Sequence, residues 1–317
     1  MKGAKPLIDI LMATYNGQRF VGEQIESIQG QTCADWRLLV SDDCSTDKTL
    51  DVVRRYAAAD GRIQVVSQGV RHGGAKANFF SLMDKSTAPY VMFCDQDDVW
   101  LPRKVEKTFE AMRKIEGSAS ADVPLLVFTD MKVVDGDLNV IAESFDRFSS
   151  IDPSRNAFPH VVAQPIASGC TMMVNAAARD LALKAPDTSD VILHDQWLTL
   201  LASAFGRIAY VEEPTSLYRQ HGSNEIGALK YSPVKRASHF DVMKESVAAT
   251  VSQARAFLRC YGDALSAEQL RCIKEFVASG ETRGISAVLH LAASGCWKKG
   301  LRKAGQILVA TSGGRHD

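Results

Sequence analysis

Apolar and polar positions along the first 130 residues follow two alternating periods. Short β-rich apolar runs, Ile8 to Ala13, Trp36 to Ser41, Ile63 to Val66, Tyr90 to Cys94 and Leu125 to Thr129, read as strands. Between them the spacing is helical, as in Phe20, Gln24, Ile25 and Ile28. Pro102 suits the first turn of another helix, whose stripe is Val105, Phe109 and Met112. Strands alternating with helices predict parallel βαβ units, hence an α/β fold with a mostly parallel central sheet flanked by helices.

From about Val123 to Ile226 the pattern is mixed, with strands near Leu125 to Val134 and Cys170 to Val174 and helices near Ala176 to Lys184 and Asp195 to Phe205. Turn-rich Ser149 to Pro159 reads as a mobile loop. After Gly227 the pattern turns helical, over roughly 238–261, 266–279, 283–293 and 297–310, with no internal repeat.

With 317 residues, 46% of them hydrophobic, the chain can bury a large core, so disorder is not expected. No run approaches the roughly 20 apolar residues that span a bilayer, and Leu7 to Ala13, interrupted by Asp9, is too short for a signal-peptide core. Seven scattered cysteines without a C-x-x-C pair argue against a disulfide framework or a thiolate zinc site, and a reduced cytoplasm is expected. Net charge is zero but uneven: residues 230–317 carry 14 Lys and Arg against 7 Asp and Glu, leaving residues 1–229 seven charges negative. Metal chemistry is expected in the acidic part, and an anionic partner opposite the basic one.

Three acidic places follow strand ends, where ligands bind in open α/β sheets. In Ser41-Asp42-Asp43-Cys44-Ser45-Thr46-Asp47, Ser45 or Thr46 can cap the next helix, which leaves Asp42 and Asp43 to accept from a base or a ribose. Asp95-Gln96-Asp97-Asp98 puts three carboxylates in four residues, which repel unless a cation or protons neutralise them. Mn²⁺ or Mg²⁺, held by carboxylates and substrate phosphates, is the natural partner. His194-Asp195-Gln196-Trp197 opens a helix, with Asp195 either its N-cap or a general base. His221 follows the strand-like Thr215 to Tyr218 in a polar turn and, taken alone, is equally a surface histidine.

Taken in order, Ala13-Thr14-Tyr15-Asn16-Gly17, Ser41 to Asp47, Gly73 to Asn78, Asp95 to Asp98 and His194-Asp195 resemble the family 2 glycosyltransferases of the GT-A fold, over roughly residues 7–228. Asp95 to Trp100 and Tyr218 to Asn224 look like bacterial rhamnosyltransferases of cell-surface polysaccharide synthesis. The resemblance implies a GT-A domain, Rossmann-like, over 1–228, with a nucleotide-binding half (1–100) and an acceptor half (101–228), followed by a helical C-terminal extension (229–317). It implies an inverting transfer, best dTDP-L-rhamnose or else a UDP-hexose or UDP-N-acetylhexosamine, onto a saccharide or lipid-linked saccharide. The donor nucleotide would be bound by Ala13, Thr14, Tyr15, Asn16, Asp42, Asp43, Gly74, Asn78, Asp95 and Gln96. Asp97 and His221 would hold the metal, Asp195 would be the base, and Asp98, Trp100, Gly169, His194 and Arg219 would support them. His194 stands where the family usually has Glu or an apolar residue.

Two rivals remain. Asp95-x-Asp97-x-Val99 also fits a haloacid-dehalogenase-type phosphatase, with Thr129 as its second motif, and a nucleotide-sugar binding module without turnover would keep the same residues. In the last helix Trp297, Leu301, Ala304 and Leu308 form one side, with Lys298, Lys299, Arg302 and Lys303 opposite or flanking. That helix either packs its apolar side on the domain or rests on anionic lipid at the inner face of the plasma membrane. The basic residues lack interleaved aromatics at a stacking spacing, so no nucleic acid partner is expected.

Overall fold

The computed structural model describes residues 7–117, 119–185, 187–221 and 236–312, with side chains in the last stretch described from residue 240. Gly222 to Asn224 and the expected domain boundary at 228 lie outside the described residues. The chain opens with β1 (Ile8–Thr14), α1 (Val21–Gln29), β2 (Trp36–Asp42), α2 (Thr49–Ala59), β3 (Ile63–Ser67), α3 (Ala75–Lys85) and β4 (Tyr90–Cys94). There follow β5 (Val99–Trp100), α4 (Lys104–Glu116), β6 (Leu125–Val134), β7 (Val140–Ala142), α5 (Phe145–Phe148), α6 (Phe158–Ala163), β8 (Met172–Asn175), α7 (Ala176–Ala182), α8 (His194–Phe205) and β9 (Arg207–Arg219). Among the described residues four helices follow: α9 (Arg236–Tyr261), α10 (Ala267–Glu281), α11 (Gly284–Ser294) and α12 (Leu301–Thr311).

Among the described residues all of the strands join one sheet in the order β3-β2-β1-β4-β8-β6-β9-β5, with β7 beside β6. β3, β2, β1 and β4 run parallel, and β8 enters antiparallel to both of its neighbours. Helices cover both faces, which is why β1 is nearly all buried and reads as an unbroken apolar run. Its alternate residues divide between two cores. Ile8, Ile10 and Met12 pack with Val21, Ile25 and Val105, whereas Leu11 packs with Phe93, Phe79 and Leu201. Asp9, the one charge in the run, is fully buried and takes both fork nitrogens of Arg37 at 2.9 Å and the Ser86 hydroxyl at 2.8 Å.

The C-terminal helices join the same core, with Phe257 of α9 against Trp197 and Phe205 of α8. Two expectations change here. The segment after Ser149 is tied to the chain's end: Lys299 Nζ is 2.9 Å from Asp152, and Arg302 donates to the carbonyl of Ser149 at 2.7 Å. α12 is also turned over relative to the packed reading. Leu301 (64% exposed) and Leu308 (52%) face outward, and Lys298 and Gln306 are buried. Lys298, just before the helix, donates to the Ser246 hydroxyl at 3.0 Å, and Gln306 accepts from the Lys298 N–H and donates to the Cys296 carbonyl, both at 3.0 Å, so polar pairing holds that side down. Among the described residues no helix is long and apolar enough to cross a membrane.

Candidate active site

A cleft of about 590 Å³ opens beyond the carboxyl ends of β1, β2 and β4. Ala13, Thr14, Tyr15, Asp43, Gly74, Asn78, Asp95, Gln96, Asp97, Gly169, His194 and Asp195 all line it. At one end of it the Asp43 carboxylate gathers the backbone N–H groups of His72, Gly73 and Gly74, with Gly74 at 2.8 Å. These bonds bend the β3–α3 loop around the cleft, where Gly73 and Gly74 sit at φ +84° and +127°. Tyr15 and Gln96 are bound reciprocally, N–H to Oε1 at 3.0 Å and Nε2–H to carbonyl at 2.9 Å. Gly17 makes this contact possible, since a Cβ there would lie 2.1 Å from Gln96 Oε1.

Asp42 and Asn16 do not reach the cleft lining. Asp42 is buried and accepts from the hydroxyls of Thr14 (2.9 Å) and Ser45 (2.6 Å) and from Ser45 N–H, so it braces the β1 and β2 ends against each other. Asn16 likewise accepts from Thr46 N–H at 2.8 Å. With Ser45 so engaged, the start of α2 is served by Asp47, which accepts from Thr49 N–H at 2.9 Å. Asn78 lines the cleft, but its Nδ2 donates to the Ser41 carbonyl at 3.0 Å. Trp100 is buried in the core with Lys104 Nζ 5.0 Å from its ring centre, so its part is packing.

The acidic loop after β4 is held from behind by the end of β9. Arg219, 2% exposed, donates from Nε to the Asp97 carbonyl (2.8 Å) and from Nη1 to the Gly136 carbonyl (2.7 Å). Its Nη2 donates to Glu23 at 2.5 Å, and its backbone N–H donates to Asp98 at 3.1 Å. Asp98 is completely buried; loss of water and the charges of Asp95 and Asp97 push its carboxyl well above the usual carboxylate range. Burial also brings the neighbouring Lys104 ammonium down to about 8.

Two residue sets offer metal-ligand chemistry. His221 Nε2 lies 2.8 Å from Asp97 Oδ2, close to the separation of adjacent ligands around an ion with bonds of about 2.1 Å. Asp95, Asp98 and Cys170 bring ligand atoms within 4.8 Å of one another. Cys170 offers a soft sulfur, unsuited to Mn²⁺ or Mg²⁺, and Asp98 is already engaged by the Arg219 N–H at 3.1 Å. The Asp97–His221 pair, which offers oxygen and imidazole nitrogen and no sulfur, suits such a cation better.

At the other end of the cleft, Asp195 in the first turn of α8 accepts from Gly169 N–H at 3.0 Å and Gln196 N–H at 2.7 Å. Burial raises its carboxyl to about 6. His194 is wedged between Phe79 (4.1 Å) and Phe93 (4.7 Å), and burial lowers it to about 3, so the ring is neutral. Gly169 leaves it room: a Cβ at that position would stand 2.7 Å from His194 Nε2. Thr129, the second phosphatase element, is buried and hydrogen-bonded to Thr215 at 2.6 Å, outside the cleft.

Sequence reasoning missed Arg71, Phe79 and Phe145, which also line the cleft. Arg71 carries the only permanent positive charge among the lining residues, and its place just before Gly73 was the available signal. Phe145 arrives from α5 with no local signal.

The glycosyl transferase family 2 profile matches residues 9–149. A dTDP-rhamnosyl transferase, RfbG of Shigella flexneri, is 29% identical over 230 residues, spanning 68% of this chain and 74% of that protein. The UDP-Glc:alpha-D-GlcNAc-diphosphoundecaprenol beta-1,3-glucosyltransferase WfgD of Escherichia coli is 34% identical over 108 residues, 34% of this chain and 42% of its own length. The crystal structure of S. aureus TarS 1-349 in complex with UDP-GlcNAc superposes with a TM-score of 0.54 at 16% identity, covering 96% of this chain and 90% of that one, a likeness of fold. Residues 9–149 are thus a family 2 glycosyltransferase domain, and the chain is a glycosyltransferase built on the GT-A fold.

Proposed function

We propose that this glycosyltransferase moves a sugar, best L-rhamnose from dTDP-rhamnose, onto a hydroxyl of a saccharide or lipid-linked saccharide in surface polysaccharide synthesis, with inversion at the anomeric carbon. The carrying observation is the single cleft in which Asp43, Asp95, Asp97 and Asp195 converge. The similarity to RfbG supports the choice of donor.

In this reading Asp43 accepts from the base, and Thr14 and Tyr15 border the nucleotide. Asp97 and His221, with Asp95, would hold Mn²⁺ or Mg²⁺, which when bound supplies Lewis acidity at the diphosphate oxygens. Asp195 takes the acceptor proton. Its two N–H bonds fix the carboxylate orientation, and its raised proton affinity brings it closer to neutral working conditions. The donor half and the acceptor half meet at this cleft, and α9 to α12 belong to the helical extension.

The same reading places the protein on the inner face of the plasma membrane. Leu301 and Leu308 of α12 and Ile285 and Leu289 of α11 are exposed, and residues 282–312 contain five Lys and Arg and no Asp or Glu, a composition suited to an anionic lipid surface.

A thermal-shift panel of dTDP-, UDP- and GDP-sugars with and without Mn²⁺, followed by nucleoside diphosphate release, tests the assignment. The largest Mn²⁺-dependent shift is expected for dTDP-rhamnose. A larger shift with UDP-glucose or UDP-N-acetylglucosamine would transfer the assignment to a UDP-sugar, and phosphate release from a simple aryl phosphate would favour the phosphatase.

A further inference from the structure

Lys76 lies in the first turn of α3, two residues after Gly74. A cation there runs against the helix dipole, so a compensating partner is required. Its ammonium donates to three backbone carbonyls of one short segment: Thr188 at 3.0 Å, Ser189 at 3.2 Å and Val191 at 2.7 Å. An ammonium has three donors, and all three are engaged by this loop. The loop leads directly into Leu193, His194 and Asp195. α8 begins there with Leu193 at its N-cap and no side-chain cap, so the backbone before it sets the angle at which the helix enters. From the other side Gln253 of α9, itself buried, accepts from Ile192 N–H at 3.1 Å, and Arg259 pairs with Asp190 at 2.7 Å.

We propose that Lys76 is a positioning residue for Asp195: it ties the donor-binding loop at Gly73–Gly74 to the loop that aims the base, so that the two ends of the cleft are held in register. Through Gln253 the C-terminal helices share in holding the same loop. The inference rests on Asp195 being the base. Lys76 itself lies outside the cleft lining.

The test compares the full chain with Lys76→Met, Lys76→Arg and Asp195→Asn. Turnover is read as UDP or dTDP release from whichever sugar nucleotide of the panel is consumed, and binding of UDP and dTDP is read by calorimetry. Lys76→Met is expected to lower kcat about tenfold, with donor KM and nucleotide Kd within twofold of the unaltered chain and partial recovery in Lys76→Arg. Amide hydrogen exchange at Gly169 and Gln196, whose N–H groups bind Asp195, is expected to quicken in both Lys76 variants, and is read in Lys76→Arg alone if Lys76→Met does not fold. Unchanged kcat and exchange, or kcat and nucleotide affinity falling together without recovery by Arg, would overturn the proposal. Full turnover in Asp195→Asn would instead remove the base assignment beneath it.

Discussion

His221 Nε2 and Asp97 Oδ2 stand 2.8 Å apart although 124 residues separate them in the chain. Arg219, fixed to the Asp97 carbonyl, carries His221 into place. If the pair shares one cation, Asp97→Asn and His221→Ala should each weaken Mn²⁺ binding about tenfold or more, as measured by electron paramagnetic resonance. Calorimetric affinity for metal-free nucleotide should stay within a few-fold. Unchanged Mn²⁺ affinity in both variants would move the ion elsewhere.

Asp195 must be unprotonated to accept a proton, and its carboxyl sits near 6. Turnover should therefore rise with pH and level off above about 6, and Asp195→Asn should lose on the order of 10²–10⁴ in rate while still binding donor. The stability effect has the opposite sign. In the folded chain this carboxyl holds its proton up to about 6, against 3.8 when unperturbed, so its contribution is favourable at low pH and is lost as pH rises through 4 to 6. At pH 8 the Asn variant should consequently be more stable by about 1–3 kcal/mol and melt at a higher temperature. A melting point equal to or below that of the unaltered chain would contradict this.

Gly169→Ala puts a methyl 2.7 Å from His194 Nε2 and 3.6 Å from the Asp195 Cβ. The ring is clamped between two phenylalanines and cannot retreat, so the backbone that holds Asp195 must shift. Urea unfolding should register a loss of about 1–3 kcal/mol, accompanied by a lower kcat. Wild-type stability and kcat together would mean the wall yields freely.

Removing the chain's end is a poor test of the lipid surface, because Cys296, Lys298 and Gln306 are buried and would leave a hole. Leu301→Glu with Leu308→Glu alters only outward positions. Sedimentation with vesicles containing phosphatidylglycerol should fall several-fold for the double variant, and turnover of a water-soluble acceptor should not change. Equal sedimentation would dismiss the lipid contact.

The strand runs and the carboxylates at their ends were legible because burial on both faces leaves strong apolar signals and because unpaired acids are costly. The adjacent pair at 42 and 43 was harder. Successive side chains at a strand end point to opposite sides, so Asp43 faces the cleft while Asp42 is consumed by Thr14 and Ser45. Periodicity marked the stripe on α12 but could not tell which side is covered, since that depends on Lys298 reaching Ser246, 52 residues away. His221 and Lys76 act across similarly long separations, which no local pattern encodes.

The attachment of Gln253 to Ile192, and of Phe257 to Trp197, bears on hybrid enzymes. A chimera that swaps the sheet-bearing part for that of a relative while keeping these terminal helices would mismatch the seat of α8. Exchanges among such proteins should carry α9 along with the loop it braces.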